Sequence, residues 1–299
     1  MIRRARYSMI MIAPLLLLLN AAQTSAAPKI KVVTTLTFLE DFVRNVGGER
    51  VEVRSLLSGL ESEHTYTPKP SDVIAVKEAR ILVTVGLGLE VWVNSLIRNA
   101  SNNHLTMVTT SDGIPLTRGE ETEDHDHGGH FGNPHIWLDP ERAKVMIRHI
   151  TDALAKIDPG GREIYLSNQA KYFDKIDAMR RNIDALLKPA ANRKMITHHP
   201  AWPYFAQRFK LQIIDNIQIQ AGTEPSAKHI AALIDKVRRE KVRVIISEPQ
   251  LSPKAPKAIA DETGARIVIL TPIPGGLPGT GTYIEMMEYT GAQLAAALR

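Results

Sequence analysis

Short β-branched runs alternate with stretches of helical apolar spacing along the whole chain. In the first half, runs at 30 to 36, 51 to 57 (VEVRSLL), 81 to 86 (ILVTVG) and 106 to 110 (TMVTT) read as strands. Helical spacing fills gaps between them, as in Phe38 to Val46 and Ser71 to Ala79. The second half repeats the scheme with strands at 194 to 198 (KMITH), 212 to 217 (QIIDNI), 243 to 247 (RVIIS) and 266 to 270 (RIVIL). Continuous apolar strands separated by helices predict parallel sheets covered on both faces, hence an α/β protein of two lobes. Between them, residues 161 to 190 hold no Gly or Pro from Arg162 to Lys188, and Tyr165, Tyr172, Ile176, Met179, Ile183 and Leu186 recur at helical intervals. That spacing predicts one helix of about 40 Å at roughly 1.5 Å per residue, a strut that allows only small movements between the lobes. The expected division is a leader at 1–27, a first lobe at 28–160, the linking helix at 161–189 and a second lobe at 190–299.

Two segments fit neither period. Residues 119 to 132, GEETEDHDHGGHFG, are charged and lack apolar spacing, which predicts a loop; its His125, His127 and His130 among acids could gather divalent ions weakly or be solvated surface. The first 27 residues carry Arg3, Arg4 and Arg6, an apolar run ending in five leucines, and the small residues Ser25, Ala26 and Ala27, the layout of a secretory signal peptide. The leader also changes the reading of charge. Its removal takes three arginines and no acids, so 37 − 3 = 34 basic residues face 32 acidic ones, and the sequence pI of 9.3 does not signal a nucleic-acid partner. With no cysteine there is no disulfide framework and no residue for a lipid anchor at a mature N-terminus. A soluble periplasmic protein is the expectation.

Three of the ten histidines sit at strand ends or in short loops: His64 in ESEHTYTPKPSD, His135 in NPHIWLDP and His199 in THHPAWPYF. Ligands of open α/β sheets gather beyond the carboxyl ends of strands, so these three, two from the first lobe and one from the second, are candidates for a shared site. Neutral imidazoles with a carboxylate or water suit tetrahedral zinc, although each histidine taken singly reads more simply as a loop residue capping a backbone carbonyl. Asp139 belongs to a helix start, since Asp at N-cap followed by Pro140 and Glu141 satisfies the first turn. His198 points opposite to His199 on leaving its strand. Trp137 and Trp202 are read as packing around the site, Glu90 and Glu285 as structural, and Glu224 as part of a helix entry running to about Glu240.

The segments SEHTYTPKPSD, GLGLEVWV, NPHIWLDP, HPAWPYF, ISEPQ and GTYIEMMEY, in this order, resemble the zinc and manganese receptors of bacterial ABC importers. The resemblance implies two pseudo-symmetric α/β lobes bridged by a rigid helix, with the metal in the cleft and His64, His135 and His199 on the three metal-binding positions. It further implies a monomeric carrier, not an enzyme, whose partners are a membrane permease and a cytoplasmic ATPase. Many members place an aspartate after the last strand, where this chain has Pro272 in LTPIPGG. Glu248, at the end of strand 243 to 247, is the first replacement expected; Glu63 or water are the others. A nitrogen-rich set favours Zn²⁺ over Mn²⁺. A zinc hydrolase, or a zinc buffer or adhesin without a permease, are the competing readings of three histidines with an open fourth position.

Overall fold

A computed structural model describes residues 28–116, 132–219 and 222–299. The expected signal peptide and nearly all of the histidine-rich segment lie outside these residues. The first lobe is built on β1 (Ile30–Thr34), α1 (Thr37–Gly47), β2 (Val51–Ser55), α2 (Pro70–Glu78), β3 (Ile81–Thr84), α3 (Val93–Ala100) and β4 (Thr106–Thr109), followed by α4 (Pro140–Ile157). α5 (Arg162–Leu187) runs on to the second lobe, made of β5 (Lys194–Thr197), α6 (Pro203–Arg208), β6 (Gln212–Asn216), α7 (Ala227–Glu240), β7 (Val244–Ser247), α8 (Lys254–Thr263), β8 (Arg266–Ile269) and α9 (Tyr283–Ala297). The sheets have the orders β2-β1-β3-β4 and β6-β5-β7-β8, every pair parallel. Identical order in the two halves is the pseudo-symmetry expected of the fold. It aims the carboxyl ends of both sheets at one cleft.

In the first lobe β1, β2 and β3 stop two residues short of the expected runs and β4 one, because the chain turns away at Leu36, Leu56 and Val85 to build the loops of the cleft. Two central strands, β3 (ILVT) and β7 (VIIS), are buried throughout, which is why they read as unbroken apolar runs rather than alternations. α5 buries the stripe Tyr165, Tyr172, Ile176, Met179, Ile183 and Leu187, and packs on α1 and α4 on one side and on α9 on the other. One apolar cluster therefore continues through both lobes, including Phe38, Phe42, Trp137, Tyr172, Trp202, Phe205 and Tyr283, while a smaller one lies beneath α7 and α8. Phe38 stacks on Trp137 with ring centroids 4.4 Å apart, and Phe42 meets Tyr283 edge-on at 5.0 Å. A shared aromatic core, more than the strut alone, fixes the relation of the two sheets.

Candidate metal centre

The loop that carries His64 leaves β2 through a glycine-dependent turn. Gly59 has φ +94°, and a Cβ there would lie 2.3 Å from the carbonyl oxygen of Pro274 in the second lobe, so no larger residue allows this approach. Beyond it, Trp92 Nε1 donates to the backbone carbonyl of Glu63 at 3.2 Å. Tyr66 packs edge-on against Trp92, with centroids 5.0 Å apart, and its hydroxyl donates to Asp72 at 2.7 Å. These contacts aim Glu63 and His64 into the cleft.

Each of the other two rings is held by its Nδ1. In Asn133-Pro134-His135 the Asn133 Oδ1 accepts from the His135 backbone N–H at 3.0 Å and from the ring Nδ1 at 2.9 Å. His199 follows β5, and its Nδ1 donates to Glu248 Oε1 at 3.3 Å, a carboxylate that also receives Trp202 Nε1 at 3.3 Å and Gln250 Nε2 at 3.0 Å. A ring that donates through Nδ1 presents the Nε2 lone pair elsewhere. In both cases that is the centre of the cleft.

Nε2 of His64 lies 3.1 Å from Nε2 of His199, Nε2 of His135 lies 3.3 Å from Glu63 Oε1, and the same oxygen is 3.8 Å from His64 Nε2. One ligating atom from each of Glu63, His64, His135 and His199 falls within 4.8 Å of all the others. Donors about 2.0–2.1 Å from a tetrahedral zinc stand roughly 3.3–3.4 Å apart. The three separations bracket that edge. Glu63, His135 and His199 are buried, whereas the His64 side chain is 22 % exposed and marks the mouth.

Burial dominates the electrostatics. It depresses the pKa of His64 to about 4, aided by His135 and His199 and opposed by Glu63. Burial likewise holds His135 well below the ordinary value, with His199 adding to the effect. His199 is buried too, yet the charge and hydrogen bond of Glu248, with the charge of Glu63, outweigh that cost and raise its pKa. At neutral pH the rings of His64 and His135 are thus ready as neutral donors, and His199 gives its Nδ1 proton to a carboxylate on its far side. The set can hold one divalent cation without help from solvent.

Residues 32–297 match the family described as Zinc-uptake complex component A periplasmic (ZnuA). The chain belongs to that family. It is 30% identical over 276 residues to the zinc-binding lipoprotein AdcA of Streptococcus pneumoniae serotype 4, covering 89% of this chain and 55% of the relative. With the zinc-binding protein AdcA of Streptococcus pyogenes serotype M3 it shares 28% over 273 residues, 86% of this chain and 53% of the relative. The chain thus spans about half the length of these curated relatives. The high-affinity zinc uptake system protein ZnuA of Bacillus subtilis is 29% identical over 258 residues, 84% of this chain and 81% of the relative. Among solved structures, a crystal structure of ZnuA superposes with a TM-score of 0.80 at 29% identity, covering 91% of this chain and 100% of that one. A Mn-bound point mutant of a periplasmic metal binding protein from Candidatus Liberibacter asiaticus shares the fold, with a TM-score of 0.79 at 23% identity, covering 91% of this chain and 100% of that one.

The structure brings His64, His135 and His199 together with Glu63 and leaves Glu248 outside that cluster. Glu248 was expected ahead of Glu63 as the carboxylate; instead it lies on the Nδ1 side of His199, and Glu63 Oε1 is the oxygen among the three Nε2 atoms. Position 272 contributes only its backbone, whose carbonyl accepts Trp137 Nε1 at 2.7 Å. His198 turns away to Ser247, at 3.2 Å. Glu90 is buried against Thr35 and the N–H groups of Val85 and Gly86, Glu285 closes a capping box with Thr282, and Glu224 is exposed. Asp139 caps α4 by accepting from Glu141 N–H, and it also takes both arms of Arg208 from α6, at 2.6 and 2.9 Å. That link between lobes, and the role of Asn133, carried no signal in periodicity or spacing.

Proposed function

We propose that this chain is a periplasmic receptor that captures a divalent metal through His64, His135, His199 and Glu63 and hands it to an ABC permease driven by a cytoplasmic ATPase. The observation that carries the reading is the convergence of three imidazole nitrogens and one carboxylate oxygen within 4.8 Å. Three nitrogens and a single carboxylate favour Zn²⁺; Mn²⁺ prefers oxygen-rich sites and lies lowest in intrinsic affinity. A fourth donor from the protein also favours holding over catalysis, because catalytic zinc keeps a position open for water or substrate. The relatives named for zinc binding and zinc uptake support the same reading. In this scheme residues 1–27 are the export leader, 28–160 and 190–299 the two lobes, and 161–189 the linking helix.

Release is coupled to the His64 loop. Moving His199 away from His135 would break Asn133 Nδ2 to Pro200 carbonyl (2.5 Å), Tyr204 hydroxyl to Asn133 carbonyl (2.8 Å) and the Arg208–Asp139 pair. Displacing His64 breaks none of these. The test is growth of a receptor-deleted bacterium with its permease intact under zinc chelation. This chain should restore growth and its His199→Ala variant should not; equal rescue by both would refute the reading.

A further inference from the structure

We propose that Asn133 is a positioning residue that joins the ligands of the two lobes, selecting the ring tautomer of His135 and holding its spacing from His199 with one amide group. The inference rests on the metal-receptor reading and adds a residue to it. Asn133 Oδ1 accepts two N–H groups of His135, backbone and ring, while Nδ2 donates to the carbonyl of Pro200, the residue after His199. The amide has only one workable orientation. Turned over, its NH₂ would face the His135 backbone N–H, and its oxygen would face the Pro200 oxygen. The ring of His135 must then donate from Nδ1 and present Nε2 to the centre, and the carbonyl next to His199 is tied to the same side chain.

Geometry gives the coupling its force. His135 lies in the first lobe and is 2% exposed, and its two ring nitrogens face Asn133 Oδ1 at 2.9 Å and Glu63 Oε1 at 3.3 Å, so the acceptor that takes the ring proton decides which nitrogen is left for a metal. The His135 and His199 rings sit with centroids 4.7 Å apart, so a small shift of either segment changes the distance between their nitrogens. Tyr204, which donates to the Asn133 backbone carbonyl, braces the same junction without touching either ring through that bond. It therefore serves as the control for a purely structural contribution.

The two jobs of Asn133 can be separated. Asn133→Asp keeps an acceptor for His135 and replaces the donor to Pro200 by a repelling oxygen; Asn133→Ala removes both. The experiment measures zinc affinity by chelator competition, zinc dissociation by stopped flow and the visible spectrum of the Co²⁺-substituted protein, with metal-free melting as the check on folding. Asn133→Ala should lose about 10–100-fold in affinity, the usual range for a partner behind a ligating histidine, and should alter the cobalt spectrum. Asn133→Asp should keep the cobalt spectrum and release zinc faster. Tyr204→Phe should lower the melting temperature and leave the cobalt spectrum unchanged. The inference is overturned if Asn133→Ala binds as the wild type does, if Asn133→Asp shows the spectrum of the alanine variant, or if Tyr204→Phe reproduces that variant. Should Asn133→Ala not fold, the Asn133→Asp and Tyr204→Phe comparison decides alone. Tight zinc uptake by His135→Ala would instead overturn the receptor reading itself.

Discussion

Glu63 and Glu248 meet the His199 neighbourhood from different sides, and their roles should separate on neutralisation. Glu63 Oε1 lies among the Nε2 atoms, whereas Glu248 receives the Nδ1 proton of His199. Glu63→Gln should therefore cost more zinc affinity than the roughly 10–100-fold expected for Glu248→Gln, with chelator competition as the measurement; the reverse order would restore Glu248 as a ligand. Protons add a second prediction. With His64 titrating at about 4 and His135 well below its ordinary value, neither needs to lose a proton to zinc near neutral pH, and the raised value of His199 makes it the first ring to compete for protons as pH falls. Calorimetry in buffers of different ionisation enthalpy should show close to one proton released per zinc just below the His199 pKa, and not three. Affinity should fall about tenfold per pH unit there and more steeply near pH 4. The metal-free fold follows the same linkage. His64 and His135 have folded values below their unfolded one, so the unfolded chain binds more protons in that window; their contribution to stability falls as pH drops from about 6.5 towards 4. His199 has the opposite sign: its contribution is present at acid pH and lost as pH rises through its elevated value.

At the level of elements, the junction of α4 and α6 and the turn after β2 carry the site. Arg208→Ala leaves the Asp139 carboxylate buried with Arg142 as its remaining ionic partner. Breaking a buried pair costs roughly 3–5 kcal/mol, and Arg142 should hold the loss to about 2 kcal/mol, read from urea unfolding. Gly59→Ala adds a Cβ against Pro274, while Gly113→Ala, at φ +69°, meets nothing within 4 Å. Both bear left-handed strain of about 1 kcal/mol, but only the first should also displace the Glu63–His64 loop and weaken zinc binding, by about tenfold or more. The strands and α5 were legible in the sequence because burial on both faces and a helical stripe leave periodic marks. Asp139 was legible as a cap from Asp-Pro-Glu, since capping is local. Its pairing with Arg208 was not, because the partners are 69 residues apart and neither changes a local pattern. For the same reason the proposal of Glu63 rather than Glu248 rests on three dimensions: Glu248 follows β7 directly and Glu63 lies in the loop beyond β2, and the direction of the His199 ring sets them on opposite sides.

For the whole molecule, the matched topologies β2-β1-β3-β4 and β6-β5-β7-β8 explain why two lobes can supply one site: each sheet brings a strand-end loop to the same cleft. The continuous aromatic core through Phe38, Trp137 and Tyr283 makes a wide hinge opening costly, which is consistent with loading and release through the partly exposed His64. Zinc K-edge X-ray absorption of the protein loaded with one equivalent tests the central claim most directly. The account predicts four light donors at about 2.0–2.1 Å with outer-shell scattering from three imidazoles, and loss of that signal in the His64→Ala/His135→Ala/His199→Ala variant. A six-oxygen shell, or the same spectrum from the triple variant, would contradict it.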